Sequence, residues 1–265
     1  MTSENTATAG SASLRQSSTF TRFRLAPNPG PMSLDGTNSY VIGMPGLHQV
    51  AVVDPGPVDE RHLAALGAAG RVGVILITHR HADHTAASVR FRELTGAPVR
   101  AASAEYCHGG DPLADGEILT AGGVDIRVVA TPGHTSDSVC FHLPDDGPAG
   151  SVLTGDTILG RGTTVLDYPD GRLGDYLASL DRLERLGPAT LLPAHGPVLP
   201  ALDAVCREYR QHRRLRLDQI GAALSRLGHN ASVAAVTDAV YPDVDPSVRR
   251  AAETSVAAQL EYLRS

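Results

Sequence analysis

The sequence predicts a mixed α/β (α+β) fold, an αββα sandwich followed by a small all-helical tail, and three observations carry that expectation. Strand-length apolar runs alternate with amphipathic helical stretches in a β-α-β rhythm over residues 50–102. A meander of short strands broken by Gly, Pro and Asp turns follows over residues 116–154. From Pro200 onward the pattern turns nearly all-helical. Two halves of strands with helices outside suggest the sandwich, although strand count alone does not choose it.

In chain order, residues 1–18 are rich in Ser, Thr and Ala without apolar periodicity and are expected to be a disordered extension. Glu4 and the single Arg15 argue against an organelle-targeting segment. Strands are expected at 20–25, 39–42 and 50–53, a helix at 59–69, a buried strand at 72–77, a helix at 85–95 and an extended segment at 99–102. Further strands follow at 116–119, 124–130, 138–141 and 151–154. A helix at 175–186 carries Tyr176, Leu177, Leu180, Leu183 and Leu186 on one stripe before Gly187-Pro188 ends it. In the tail, Leu202 to Leu227 recur at helical spacing until Gly228, a second helix covers 233–240, and Asp245-Pro246 caps a last one through 263. The expected units are therefore the extension 1–18, a catalytic domain 19–200 and a tail 201–265.

The chain has 265 residues, 42% of them apolar, enough for a real core. It contains no apolar run of membrane-spanning length and no basic-then-apolar leader, so a cytoplasmic protein without membrane partners is expected. Cys107, Cys140 and Cys206 are far apart, odd in number and in no C-x-x-C arrangement, which argues against both disulfides and a thiolate metal site and favours small core hydrophobes. A net charge of −6 gives no general pull on nucleic acid. All 23 basic residues are arginine, so lysine nucleophiles, Schiff bases and a P-loop lysine are excluded; coding bias explains the absence of lysine.

The chemistry concentrates in Thr78-His79-Arg80-His81-Ala82-Asp83-His84-Thr85, four potential metal ligands in six residues directly after an apolar run. In extended backbone His79 and His81 point to the same side, and Asp83 and His84 follow where the chain turns. One short loop can thus feed two metal ions. Three more candidates each end an apolar run inside a Gly- or Pro-containing turn: His134, Asp156 and His195. Singly, each reads as a loop histidine or a turn aspartate. Jointly they read as a metal site, because ligands in layered α/β folds collect on loops beyond strand ends. The N/O donor set suits Zn²⁺ best and tolerates Mn²⁺ or Fe²⁺.

This set, in this order and spacing, resembles the metallo-β-lactamase superfamily of binuclear metallohydrolases over about residues 20 to 200. The resemblance implies two divalent ions per chain, with His79, His81 and His134 on the first, Asp83, His84 and His195 on the second, and Asp156 bridging. Asp54 matches an early aspartate expected to support the site from behind its ligands. Asp156 stands where antibiotic-hydrolysing members have a cysteine or no bridge, and His81 where the oxygen-reducing di-iron branch has a glutamate. The first departure argues against β-lactam hydrolysis, and the second favours hydrolysis over redox chemistry. Asn-Pro-Gly-Pro at 28–31 and Gly-Thr-Asn-Ser-Tyr at 36–40 look like signatures of the β-lactamase-like-protein-2 branch, which makes Asn38 a candidate substrate contact at the cleft and the tail winged-helix-like.

Arg161, a few residues past Asp156, is a second candidate for holding a substrate carboxylate or phosphate. Arg207, Arg210, Arg213, Arg214 and Arg216 form a basic stripe that is either a solvated, glutamate-paired face or a contact for nucleic acid or an acidic carrier protein. The expected activity is hydrolysis of an ester or thioester of a small or carrier-bound acyl group by a dimetal-bound hydroxide, with Asp83 and Asp156 as the catalytic carboxylates. An endoribonuclease acting on single-stranded RNA is the alternative within the same chemistry. A nucleic-acid-binding module with a structural metal site is the alternative of another class. No candidate ligand lies beyond His195, so the tail is expected to be separable from the chemistry; the sequence leaves substrate, native metal and oligomeric state open.

Overall fold

Alternate residues of the central strands face different cores, and that period-two sorting builds four layers. The structure is a computed structural model that describes residues 13–264. One sheet holds β1 (Arg15–Gln16), β2 (Thr21–Leu25), β3 (Asn38–Ile42), β4 (Gln49–Val53), β5 (Arg71–Leu76) and β6 (Val99–Arg100), in that order. The other holds β7 (Ile118–Ala121), β8 (Val124–Ala130), β9 (Val139–Leu143), β10 (Ser151–Gly155) and β11 (Thr190–Pro193), ordered β11-β10-β9-β8-β7.

Tyr40, Ile42, Ala51, Val53 and Leu76 of the first sheet meet Ile126, Val128, Phe141, Leu143, Leu153 and Leu192 of the second in the central core. The residues between them point outward. Val41, Val52 and Ile75 pack under α1 (Glu60–Gly67) and α3 (Ser88–Thr95) through Leu63, Leu66 and Phe91. Val129, Cys140, Val152 and Leu191 pack under α4 (Leu173–Glu184) and the start of α5 (Leu202–Leu227) through Tyr176, Leu180, Leu202 and Cys206. Strands buried on both faces explain runs as continuous as Val72 to Ile77. Cys140 and Cys206 are buried and all three thiols are free.

Asp59 caps α1 by accepting from His62 N at 2.7 Å. The helix expected over 85–95 is instead split into α2 (Ala82–Thr85) and α3. The physical reason is interception: the Asp83 carbonyl accepts from Thr37 Oγ1, and Ala87 N donates to the Gly56 carbonyl, so the next helical hydrogen bond is never made. The expected irregular extension also ends early. Arg15 and Gln16 pair with Phe23 and Arg22 in β2, while residues 1–12 lie outside the described residues.

The tail is α5, α6 (Val233–Val240), a 3-10 turn at Pro246–Val248 capped by Asp245, and α7 (Arg249–Arg264). Among the described residues 201–264 there is no strand, so the expected winged-helix-like character has no wing to rest on. Ile220, Leu224, Val236, Val256 and Leu260 give these helices their own small core. The first half of α5 belongs to the sandwich, however, since Tyr209 Oη bridges Leu159 and Gly162 and Arg213, 3% exposed, donates to the Thr164 carbonyl. No described helix is long and apolar enough to cross a membrane.

Buried His62, 1% exposed with Nε2 2.9 Å from Ser39 Oγ, shows how the fold couples to pH. Burial, and then the charge of Arg24, push its pKa down to about 4. A depressed pKa means that the unfolded chain takes up the proton first. The contribution is therefore present above the unfolded value of about 6.5 and is lost as pH falls toward 4. Urea unfolding at several pH values is expected to show His62→Gln losing less stability than the parent across that window, by on the order of 3 kcal/mol; parallel curves would exclude His62 as the titrating group.

Candidate metal centre

Asp54 ends β4 in a left-handed conformation, φ 50°, that a non-glycine residue adopts only when its surroundings enforce it. Its carboxylate is 2% exposed and accepts from Thr78 N at 2.8 Å, Thr78 Oγ1 at 2.7 Å and His84 Nδ1 at 2.8 Å. The Asp54 carboxylate holds an Nδ1 proton on His84 and turns Nε2 toward the site. That Nε2 is buried with no hydrogen-bond partner, and so are His195 Nε2 and Asp156 Oδ1. Orphaned buried polar atoms are costly, and here three of them converge.

His195 Nε2 lies 3.2 Å from Asp83 Oδ2 and 3.3 Å from Asp156 Oδ1, while His84 Nε2 lies 3.5 and 3.6 Å from the same two oxygens. The far nitrogen of His195 donates to the Gly36 carbonyl at 3.1 Å. Beside this cluster sits a second one. His79 Nε2 and His134 Nε2 approach His81 Nδ1 at 3.0 and 3.1 Å. Their other nitrogens face acceptors: Thr78 Oγ1 for His79, the Val165 carbonyl at 2.6 Å for His134, and Asp167 Oδ2 at 3.1 Å for His81. The Thr78 hydroxyl gives its hydrogen to Asp54 and therefore accepts from His79. Three lone pairs then point at one another, an arrangement that a cation makes favourable. His79, His81 and His134 form one group able to hold a metal ion, Asp83, His84 and His195 another, and His79, His84 and Asp156 a third that overlaps both. Asp156 stands between the clusters, with Oδ1 toward His84 and His195 and Oδ2 3.8 Å from His134 Nε2. This His/Asp centre is a divalent metal site in its donor chemistry.

Charge follows the same division. Burial, reinforced by the neighbouring imidazoles, holds His79 well below the ordinary histidine value, and burial lowers His134 too. Burial also opposes a proton on His84, but Asp54, Asp156 and Asp83 outweigh it and raise its pKa to about 10. His195 is raised against burial by Asp156 and Asp83. Burial opposes ionisation of Asp83, yet His195 and His84 hold its carboxyl below the usual carboxylate range. Carboxylates that pull a proton onto buried imidazoles are a sink for positive charge, which a divalent cation satisfies better.

Two glycines let the ligand loops close in. A Cβ on Gly155, before Asp156, would stand 2.8 Å from Thr78 Oγ1, and one on Gly133, before His134, 2.4 Å from the Tyr176 Cα. Both have positive φ.

All seven predicted ligands and Asp54 come together, while the other two candidates are placed differently. Asn38, expected as a substrate contact, is 2% exposed and its amide donates to the Pro193 and Gly196 carbonyls at 3.0 and 2.9 Å. Both donors are committed, so Asn38 braces the His195 loop instead. Arg161, expected to hold a substrate anion, makes a two-pronged ion pair with Asp35 at 2.8 and 2.9 Å. Asp167, the partner of His81 and of Arg80, was not among the predicted residues. Its contacts span more than 80 positions, and nothing local in Leu166-Asp-Tyr-Pro169 signals them. The tail was likewise not expected at the cleft. A cavity of about 490 Å³ is lined by His81, Asp83, His134 and Val165 and also by Arg250 and Ala251, so α7 contributes to the centre's surroundings.

Comparison with known proteins agrees with this geometry. The family model for the metallo-beta-lactamase superfamily matches residues 32–195. The beta-lactamase-like protein 2 homolog of Caenorhabditis elegans is 30% identical over 90% of this chain and 82% of its own length. An atrochrysone carboxyl ACP thioesterase of Aspergillus fumigatus is 32% identical over 77% of this chain, which spans 64% of that relative's length. Among solved structures, a metallo-beta-lactamase family protein from Thermus thermophilus superposes with a TM-score of 0.75 at 26% identity, covering 92% of this chain and 93% of that one. A beta-lactamase domain protein from Burkholderia ambifaria shares the fold with a TM-score of 0.79 at 20% identity over 98% and 90% of the two chains. With its sandwich, its histidine-aspartate centre and a family match across more than half its length, the chain belongs to the metallo-β-lactamase superfamily.

Proposed function

We propose that the chain is a binuclear metal-dependent hydrolase of an ester or thioester of a small or carrier-bound acyl group. The observation that carries the reading is the pair of lone-pair clusters with the Asp156 carboxylate between them. In this reading His79, His81 and His134 hold one ion, Asp83, His84 and His195 the other, and Asp156 touches both. The donors are imidazole nitrogens and carboxylate oxygens, which suits Zn²⁺. When bound, two such ions supply Lewis acidity and bring the pKa of water toward neutrality.

The chain's own groups supply the rest. Asp54, Thr78, Gly36, Val165 and Asp167 fix each imidazole so that its free nitrogen faces inward. The Asp83 side chain is 31% exposed, against 11% for Asp156, so Asp83 is the carboxylate that can orient an attacking water from the cleft and receive its proton. The acyl class draws support from the fungal relative named as an acyl-carrier thioesterase. No observation favours RNA or a nucleic-acid-binding module. Of the five arginines of the stripe, Arg207 pairs with Glu184 and Asp203, Arg210 with Asp181 and Glu184, and Arg213 is buried, so three of the five are already engaged within the chain.

Metal analysis of the purified protein is expected to give close to two ions per chain. Asp156→Ala is expected to weaken both sites, whereas His195→Ala mainly empties one; full occupancy in the first variant would sink the bridging role. Asp54→Asn keeps the shape but loses the acceptor charge behind His84, and metal affinity is expected to fall about 10- to 100-fold in a chelator competition. Substrate class is tested with a generic acyl thioester and a single-stranded RNA side by side at low and high salt, with Asp83→Ala as control. Thioester turnover that is indifferent to salt and lost in the control is expected; salt-sensitive RNA cleavage with the thioester untouched would overturn the reading.

A further inference from the structure

The cleft that opens on the metal centre has one wall from outside the sandwich, and that wall carries a cation whose neighbours are otherwise employed. Arg250, near the start of α7, is exposed and lines the same cavity as His81, Asp83 and His134. Adjacent Arg249 pairs with Asp238 at 2.6 Å and Glu253 at 2.9 Å. Arg80, in the ligand loop, is held by Asp167 and Asp170. Arg250 has no carboxylate partner among the described residues, although Asp83 and Asp167 line the same cavity. Val165, Leu166, Ala251 and Met32, the last 54% exposed, line the same cavity. One cavity is thus lined by predicted metal ligands, by apolar side chains and by an arginine without a carboxylate partner among the described residues.

Resting on the hydrolase reading above, we propose that Arg250 is the substrate anchor of this site, and that the preferred acyl ester or thioester carries an anionic group beyond the scissile bond. A planar guanidinium grips a carboxylate or phosphate through two parallel hydrogen bonds. The apolar stretch accommodates the carbon chain between that anion and the carbonyl being cleaved. Asp167 is already occupied by Arg80 and His81, so Arg250 is the cation left to hold an anion in this cavity, and in this proposal the tail sets specificity while the sandwich performs the chemistry. Two sources of the anion share this chemistry: a carboxylate on the acyl half, or a phosphate on the thiol half.

The test uses the metal-loaded full chain and two matched pairs of probes. The first is the adipic acid thioester of N-acetylcysteamine and its neutral terminal amide; the second is acetyl-phosphopantetheine and acetyl-pantetheine. The parent is expected to prefer the anionic member of at least one pair. Arg250→Gln is expected to raise KM for that member about tenfold relative to its neutral partner, and Arg250→Lys to restore part of the preference. No preference in either pair, or a preference that Arg250→Gln leaves intact, overturns the anchor. Failure of the hydrolase reading looks different, with none of the four probes turned over. In that case calorimetry with the corresponding non-hydrolysable thioethers still decides the anchor, since an Arg250-dependent Kd supports it and an Arg250-independent one sinks it.

Discussion

The whole centre hangs on the Asp54 carboxylate and the three hydrogen bonds it accepts. Thr78 takes two of them, and its own carbonyl accepts from Val139 N, the first residue of β9 in the other sheet. The third fixes His84. One buried carboxylate thereby joins the end of β4, the loop after β5, the start of α2 and, through Thr78, the second sheet. On the opposite flank Asn38 N donates to the Ala194 carbonyl, and the Asn38 amide and Tyr40 hydroxyl donate to Pro193. The sandwich is therefore cross-linked by hydrogen bonds at the end where the ligands emerge. Preorganisation of the metal ligands and cohesion of the two sheets are one property, and the strained backbone at Asp54 is what the surroundings tolerate to obtain it.

The site is also a place where the fold is electrostatically incomplete. Buried imidazoles with inward lone pairs and carboxylates that attract positive charge raise the free energy of the metal-free chain. A bound cation lowers it in proportion to its affinity and concentration. Stability and cofactor occupancy are therefore thermodynamically linked through the same few atoms.

Much of this was legible in the sequence, for identifiable reasons. Strands whose two faces are both buried leave unmistakable apolar runs, and four potential metal ligands crowded into the six residues His79 to His84 after such a run are distinctive as a group. What escaped was set by contacts between distant positions. Asn38 and Arg161 have side chains suited to holding a substrate, and only the three-dimensional arrangement shows that Gly196, Pro193 and Asp35 already claim them. The break between α2 and α3 depends on Thr37 and Gly56, which no helical periodicity encodes. The pairing of Arg15 and Gln16 with β2 is invisible in composition because a two-residue edge strand has no period.

The position of α7 against the cleft has a consequence for how the molecule is made. Ribosomal synthesis runs from the first residue to the last, and every metal ligand is in place once His195 has been added. The helix that walls the cleft follows only after α5 and α6. In the reading proposed above, a growing chain therefore holds all the residues assigned to the metal centre before α7, the helix carrying the proposed anchor, has been made. On that reading the residues assigned to the chemistry precede, in order of synthesis, the residue assigned to selectivity.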